Sequence, residues 1–164
     1  MARQSYKEKR KPRIELPSLA NLSRERLLDV IEKLSLYSTL VVNQIPITIF
    51  DNEELSALET IVKYLKENLG FRFSEIANLL NRDERNIWTT YKYASTKRKQ
   101  KFVIRQVVFF VPITIFQDRR VSVLEALVEY LKENRQLSLH EIASLLKRDD
   151  RTIWTVYNRV QKKR

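Results

Sequence analysis

The 164-residue chain has no cysteine, which excludes a disulfide framework, a zinc-thiolate site and a cysteine nucleophile. Its single glycine leaves no Gly-rich phosphate loop, and its single histidine leaves little for a hydrolytic site to use as a base. No apolar run approaches the ~20 residues of a membrane span, and the basic opening MARQSYKEKRKPR is not followed by the apolar stretch of a signal peptide. These absences predict an intracellular, cytoplasmic protein that is not an enzyme, needs no cofactor or metal, and has no membrane partner. Acidic residues are also in short supply, with 31 Lys+Arg against 20 Asp+Glu for a net charge of +11.

What is there suffices for a folded protein. With 43% hydrophobic and 10% aromatic residues the chain can bury a core, so wholesale disorder is excluded. The positive charge is concentrated. Residues 1–13 hold six basic side chains and one acidic, residues 92–105 six basic and none acidic, and residues 158–164 four basic and none acidic. Those segments total +15, so the rest of the chain is net −4. Basic runs can be no more than solvated surface, but three with almost no acid among them favour a polyanionic partner, bound with counterion release.

Sliding the sequence by 66 residues superimposes Ile45–Arg98 on Val111–Arg164 with 28 of 54 positions identical, which marks a duplication. The period exceeds the roughly 20–50 residues of solenoid repeats, so each copy reads as a small domain. The expected organisation is a basic tail and one helix in 1–40, a first repeat in 41–98, a basic linker in 99–106 and a second repeat in 107–164.

Each repeat opens with a short extended segment: IPITIF, where Ile45, Ile47 and Ile49 alternate like a strand, and VFFVPITIF, which suits a more buried strand, the proline in each arguing for an edge position or an extended segment. An amphipathic helix follows, with Leu55, Leu58, Ile61, Val62 and Leu65, or Val121, Leu124, Leu127, Val128 and Leu131, on one face. Asn68-Leu69-Gly70 is an expected left-handed helix end. Second helices are predicted over Ser74–Leu80 and His140–Leu146, with Ser74 as N-cap and His140 in its place. Asp83 and Asp149 then cap third helices that turn Ile87, Tyr91 and Ala94, or Ile153, Tyr157 and Val160, inward. The N-terminal helix is expected near Ser23–Leu36, with Leu27, Leu28, Ile31 and Leu34 apolar. The fold class is thus mainly α: two tandem three-helix helix-turn-helix domains, each preceded by a short extended segment, plus an N-terminal helix and basic tail.

The segments EIANLLNRDERNIWTTYKYA and EIASLLKRDDRTIWTVYNRV resemble the helix-turn-helix of sigma-70 family region 4, above all the extracytoplasmic-function type. The resemblance covers about 45 residues of each repeat and none of the N-terminal extension. It implies a DNA-reading scaffold, with RNA polymerase as a conceivable partner. It does not imply sigma activity, since no promoter-melting region accompanies it. Asn81 and Lys147 stand where such turns usually carry glycine, and lysine accepts the left-handed backbone less readily than asparagine.

With the inward stripe defined, the outer face of the third helix presents Arg85, Asn86, Thr89, Lys92 and Thr96, or Arg151, Thr152, Thr155, Asn158 and Lys162. Arginine suits guanine, asparagine suits adenine, and threonine and lysine suit phosphates or base edges. Lys97, Arg98, Lys99 and Lys101, and Lys162, Lys163 and Arg164, extend these helices as expected phosphate contacts. Trp88 and Trp154, each one residue past the core isoleucine, suit the core or the packing between the repeats, with contact to the DNA backbone or a base methyl left open. Asp83, Glu84, Asp149 and Asp150 read as caps and helix-dipole partners, not as acid/base or metal groups.

The functional expectation is a sequence-specific transcriptional regulator reading two related major-groove half-sites on double-stranded DNA, associated with the nucleoid. The alternative is an architectural or RNA-associated protein with little sequence preference, and self-association is open to either. The composition and spacing do not decide whether the half-sites are inverted or direct.

Overall fold

Pro46 and Pro112 each end a three-residue strand and begin a turn. The structure, a computed structural model, describes residues 23–30, 32, 43–104 and 107–164. It is mainly helical with one small two-stranded sheet. Residues 1–38 fall in one unit, whose described part is a helix through residues 24–30 (α1), begun by the Ser23 carbonyl accepting from Leu27 N–H at 3.0 Å. The basic tail, Ile31, Leu34, the expected end of α1 at Leu36, Val41-Val42 and Arg105 of the linker lie outside the described residues.

The described residues from 43 onward belong to a second compact unit. The alternation of Ile45, Ile47 and Ile49 overstates the strand: only Gln44–Pro46 (β1) is extended, and Ile47–Phe50 winds into a 3-10 turn. The second copy repeats this with Phe110–Pro112 (β2) and the turn Ile113–Phe116. Proline is the reason. It holds φ at −61° and −62° where the chain passes from extended to 3-10 backbone, and only one further ladder bond follows each proline, from Ile47 or Ile113 N–H. The alternation reported burial, which the turn satisfies equally well, since all three isoleucines are enclosed. The VFF part of the second segment is not a buried strand either, for Val108 and Phe110 are exposed.

The strands pair antiparallel with Ile45 opposite Val111, Gln44 opposite Pro112 and Pro46 opposite Phe110. Residues 45 and 111 are counterparts in the duplication, so a local twofold axis passes between them. Two hydrogen bonds obey the same symmetry: Ile47 N–H donates to the Phe109 carbonyl at 3.1 Å and Ile113 N–H to the Asn43 carbonyl at 2.9 Å. The counterparts Phe50 and Phe116 pack with ring centroids 6.3 Å apart.

Each turn leads into the long helix of its repeat, Ala57–Glu67 (α2) or Val123–Glu133 (α5), and these two pack against each other. Both begin with a complete capping box, Ser56 with Glu59 and Ser122 with Glu125. Ile61, Val62 and Leu65, and Leu127, Val128 and Leu131, are fully buried, as their spacing demands. The chain leaves α2 through Gly70 at φ 77° and leaves α5 through Gln136 at φ 55°. At both ends a hydrogen bond reaching six residues back closes the helix, Phe71 N–H to the Leu65 carbonyl and Leu137 N–H to the Leu131 carbonyl.

The second helices, Phe73–Leu79 (α3) and Leu139–Leu146 (α6), start one residue earlier than expected, so Ser74 and His140 lie within the first turn and are not caps. The cap positions are Arg72 and Ser138, fixed because the Glu75 and Glu141 carboxylates reach back to their N–H groups at 2.6 and 2.7 Å. The third helices are Glu84–Lys97 (α4) and Asp150–Gln161 (α7). Asp83 caps α4 by accepting from Arg85 and Asn86 N–H, and Asp149 caps α7 by accepting from Arg151 and Thr152 N–H. Ile87 and Ala94, and Ile153, Val156 and Val160, close the core from below.

Candidate nucleic-acid interface

The turns that aim α4 and α7 are left-handed in both repeats, at Asn81 (φ 50°) and Lys147 (φ 47°). Arg82 N–H then donates to the Ala77 carbonyl at 2.8 Å, and Arg148 N–H to the Ala143 carbonyl at 2.9 Å. A side chain at positive φ costs about 1 kcal/mol relative to glycine, and here each turn residue is held by the opposite repeat. The Asn81 amide donates to the Gln117 carbonyl at 3.3 Å, while Lys147 Nζ lies 3.0 Å from the Asp51 carboxylate. Asp51 and Gln117 are themselves counterparts, so the two pins are related by the same twofold.

On α4 the residues Arg85, Asn86, Lys92 and Thr96 are exposed and Thr89 is half-buried. On α7 Arg151, Thr152, Thr155 and Lys162 are exposed and Asn158 is half-buried. Each set therefore lies on one outward face, turned away from Ile87 and Ala94 or Ile153 and Val160. The hydroxyls of Thr89, Thr96 and Thr155 donate to carbonyls four residues back, at 2.8–2.9 Å, which leaves them their lone pairs for accepting. Among the described residues no carboxylate is paired with the guanidinium of Arg85 or Arg151.

Trp88 and Trp154 are not in the core. They are 49% and 58% exposed. Each follows its buried isoleucine by one residue, and one step along a helix turns the side chain about 100° away from the buried stripe. The Lys92 ammonium sits 5.4 Å from the centre of the Trp88 ring. Both helices thus present arginine, threonine and tryptophan at matching positions, and the one-residue offset from the buried isoleucine is the signal that places tryptophan on this face.

Four of the expected phosphate contacts are engaged within the protein. Lys97 binds Glu59 and Lys163 binds Glu125 at 2.8 and 2.7 Å, again as counterparts, while Arg98 lies 4.0 Å from Glu54. Arg164 bonds both Glu129 and Asp118. The basic strips are therefore pins that tie the ends of α4 and α7 back to the first turns of α2 and α5. Lys99, Lys101 and Lys162 remain exposed. Burial works to raise the Glu59 and Glu125 carboxyls, but the bonds from Lys97 or Lys163 and from the capped Ser56 or Ser122 N–H outweigh it, so both sit below the usual glutamate range. The signal for these pins was in the duplication: Ser56, Glu59 and Lys97 recur unchanged as Ser122, Glu125 and Lys163.

The third helices are anchored on their inner sides as well. Tyr91 donates to Glu67, and its counterpart Tyr157 donates to Glu133. His140 lies 3.1 Å from Asp150 on the surface. Among the described residues no group of three or more His, Asp or Glu could hold a metal ion, and no helix is long and apolar enough to cross a membrane. No protein-family model, curated protein or solved structure matches the chain.

Proposed function

We propose that the chain binds double-stranded DNA through two helix-turn-helix heads and acts as a sequence-specific transcriptional regulator whose site is an imperfect palindrome. The observation that carries this reading is the relation between α4 and α7: they are counterparts across a local twofold, expose the same Arg85/Arg151 and Trp88/Trp154, and carry Thr89/Thr155 at the same position of that face. Twofold-related heads address inverted half-sites in successive major grooves about 34 Å apart. The differences at Asn86/Thr152, Lys92/Asn158 and Thr96/Lys162 make the half-sites related but unequal. Joining both heads in one chain raises affinity by effective concentration. The resemblance to sigma region 4 supports the same scaffold and keeps RNA polymerase as a candidate partner; nucleoid association follows from DNA binding.

Trp88 and Trp154 favour a second reading, in which exposed aromatics pack against the backbone or stack on unpaired bases with little sequence preference. Selection of bound sequences from a random DNA pool, repeated with Arg85→Ala and Arg151→Ala, separates the two. The regulator reading expects a split inverted motif in which each substitution relaxes a different half. An unstructured pool, or equal affinity for random DNA and structured RNA at one physiological salt concentration, overturns it.

A further inference from the structure

The first turns of α2 and α5 frame a cleft of about 510 Å³ between the repeats. It lies astride the local twofold, because its walls include the counterparts Ser56 and Ser122, Leu58 and Leu124, and Arg82 and Arg148. Its charged lining is wholly positive: Arg82, Arg119, Arg120, Arg148 and Lys163, with no carboxylate in the wall.

Three of those cations have partners. Arg120 pairs with Asp118 at 2.9 Å, Lys163 with Glu125 at 2.7 Å, and Arg148 donates to the Leu55 carbonyl at 2.6 Å. Arg82 and Arg119 make no ion pair among the described residues, and the Nε of Arg82 is buried without a hydrogen-bond partner. Burial, and then the charge of Arg119, push the Arg82 guanidinium below the usual arginine range. Like charges held together beside an unsatisfied buried donor are unfavourable unless an anion joins them. The duplication sharpens the point: Arg119-Arg120 stand where the first repeat has Glu53-Glu54, so one wall of the cleft has its charge reversed relative to its counterpart.

We infer that this cleft is an anion site for a phosphate-bearing ligand, gripped by Arg82 and Arg119 and flanked by the other three cations. Guanidinium forks match phosphate oxygens in pairs. The volume falls in the range of small-ligand pockets, roughly 300–1,000 Å³. The site is distinct from the outer faces of α4 and α7 and does not depend on their reading DNA. A ligand there touches both repeats and so stabilises their present arrangement.

The probe is sodium triphosphate, titrated calorimetrically into the full chain at constant ionic strength. Saturable binding of one triphosphate per chain is expected, weakened about 10-fold or more by Arg119→Glu. Arg119 is exposed and unpaired, so this change spares the fold, and it installs the residue of the first repeat. Arg82→Gln, checked for folding by circular dichroism, is expected to weaken binding similarly. Arg135→Glu makes the same change of net charge just beyond the far end of α5 and should leave the affinity within about 2-fold. Absence of saturable binding, or equal losses from Arg119→Glu and Arg135→Glu, overturns the site. A duplex added to the titration identifies the source: displacement of triphosphate, with DNA affinity also reduced by Arg119→Glu, assigns the phosphate to a nucleic-acid backbone, whereas simultaneous binding assigns it to a free ligand.

Discussion

Ile45 and Val111 are the same position of the repeat and stand opposite each other in the ladder, both fully buried. Truncating either opens space at the axis. Ile45→Ala should cost about 2–5 kcal/mol, and Val111→Ala less because fewer atoms are lost. Because the two sites adjoin, the double variant should depart from the sum by at least ~0.5 kcal/mol in urea unfolding. Strict additivity would mean that the ladder does not couple them.

Lys63 Nζ is fully buried and lies 2.6 Å from Glu67, which also accepts from Tyr91. Glu67→Ala strands the ammonium and should cost about 3–5 kcal/mol, whereas Lys63→Met keeps the volume, removes the charge and should cost much less. Equal losses in denaturant titrations would count against a buried pair.

Gly70 and Gln136 occupy the same left-handed helix end. Gln136→Gly should stabilise the protein by up to about 1 kcal/mol, and Gly70→Ala should destabilise it by a similar amount despite open space around the glycine. Melting temperatures of the two variants should shift in opposite directions.

The pinned carboxylates set an acid limit. Glu125 titrates below its unfolded value of about 4.3, so its contribution is complete above that value and is lost as pH falls through the folded one. Wild type should therefore exceed Glu125→Gln in urea midpoint at pH 7, and the gap should close on acidification below about pH 4. Glu59→Gln should behave alike, since Glu59 is lowered in the same way. A gap independent of pH would leave the Lys163 pin without an electrostatic role.

Trp88 and Trp154 should emit as solvated indoles and be readily quenched by acrylamide, given their exposure. If the outer faces of α4 and α7 meet DNA, adding a selected duplex should protect both. Trp88→Phe and Trp154→Phe, each leaving one reporter, should show the protection singly. Unchanged quenching at saturating DNA would place the contact elsewhere.

Much of this arrangement was legible in the sequence. The buried faces of α2 and α5, the aspartate caps and the left-handed turn at Gly70 all rest on neighbours within one or two turns, where spacing speaks directly. What escaped depends on partners far along the chain or on competing local options. Alternating isoleucines bury equally well in a strand or in a 3-10 turn, and only the proline decides. Glu75 and Glu141, rather than Ser74 and His140, set the starts of α3 and α6. Lys97 looked free because Glu59 is 38 residues away. Core packing was the favoured place for the tryptophans, although their one-residue offset from Ile87 and Ile153 already turned them outward.

The ladder has one further consequence. A strand that pairs with its own copy is self-complementary, which is how separate identical subunits meet across an isologous dimer interface. Here both subunits of that dimer are covalently fused, so their association no longer depends on protein concentration. Identity is no longer required of them either: Glu53-Glu54 are acidic where Arg119-Arg120 are basic, an asymmetry that a homodimer encoded by one repeat could never hold.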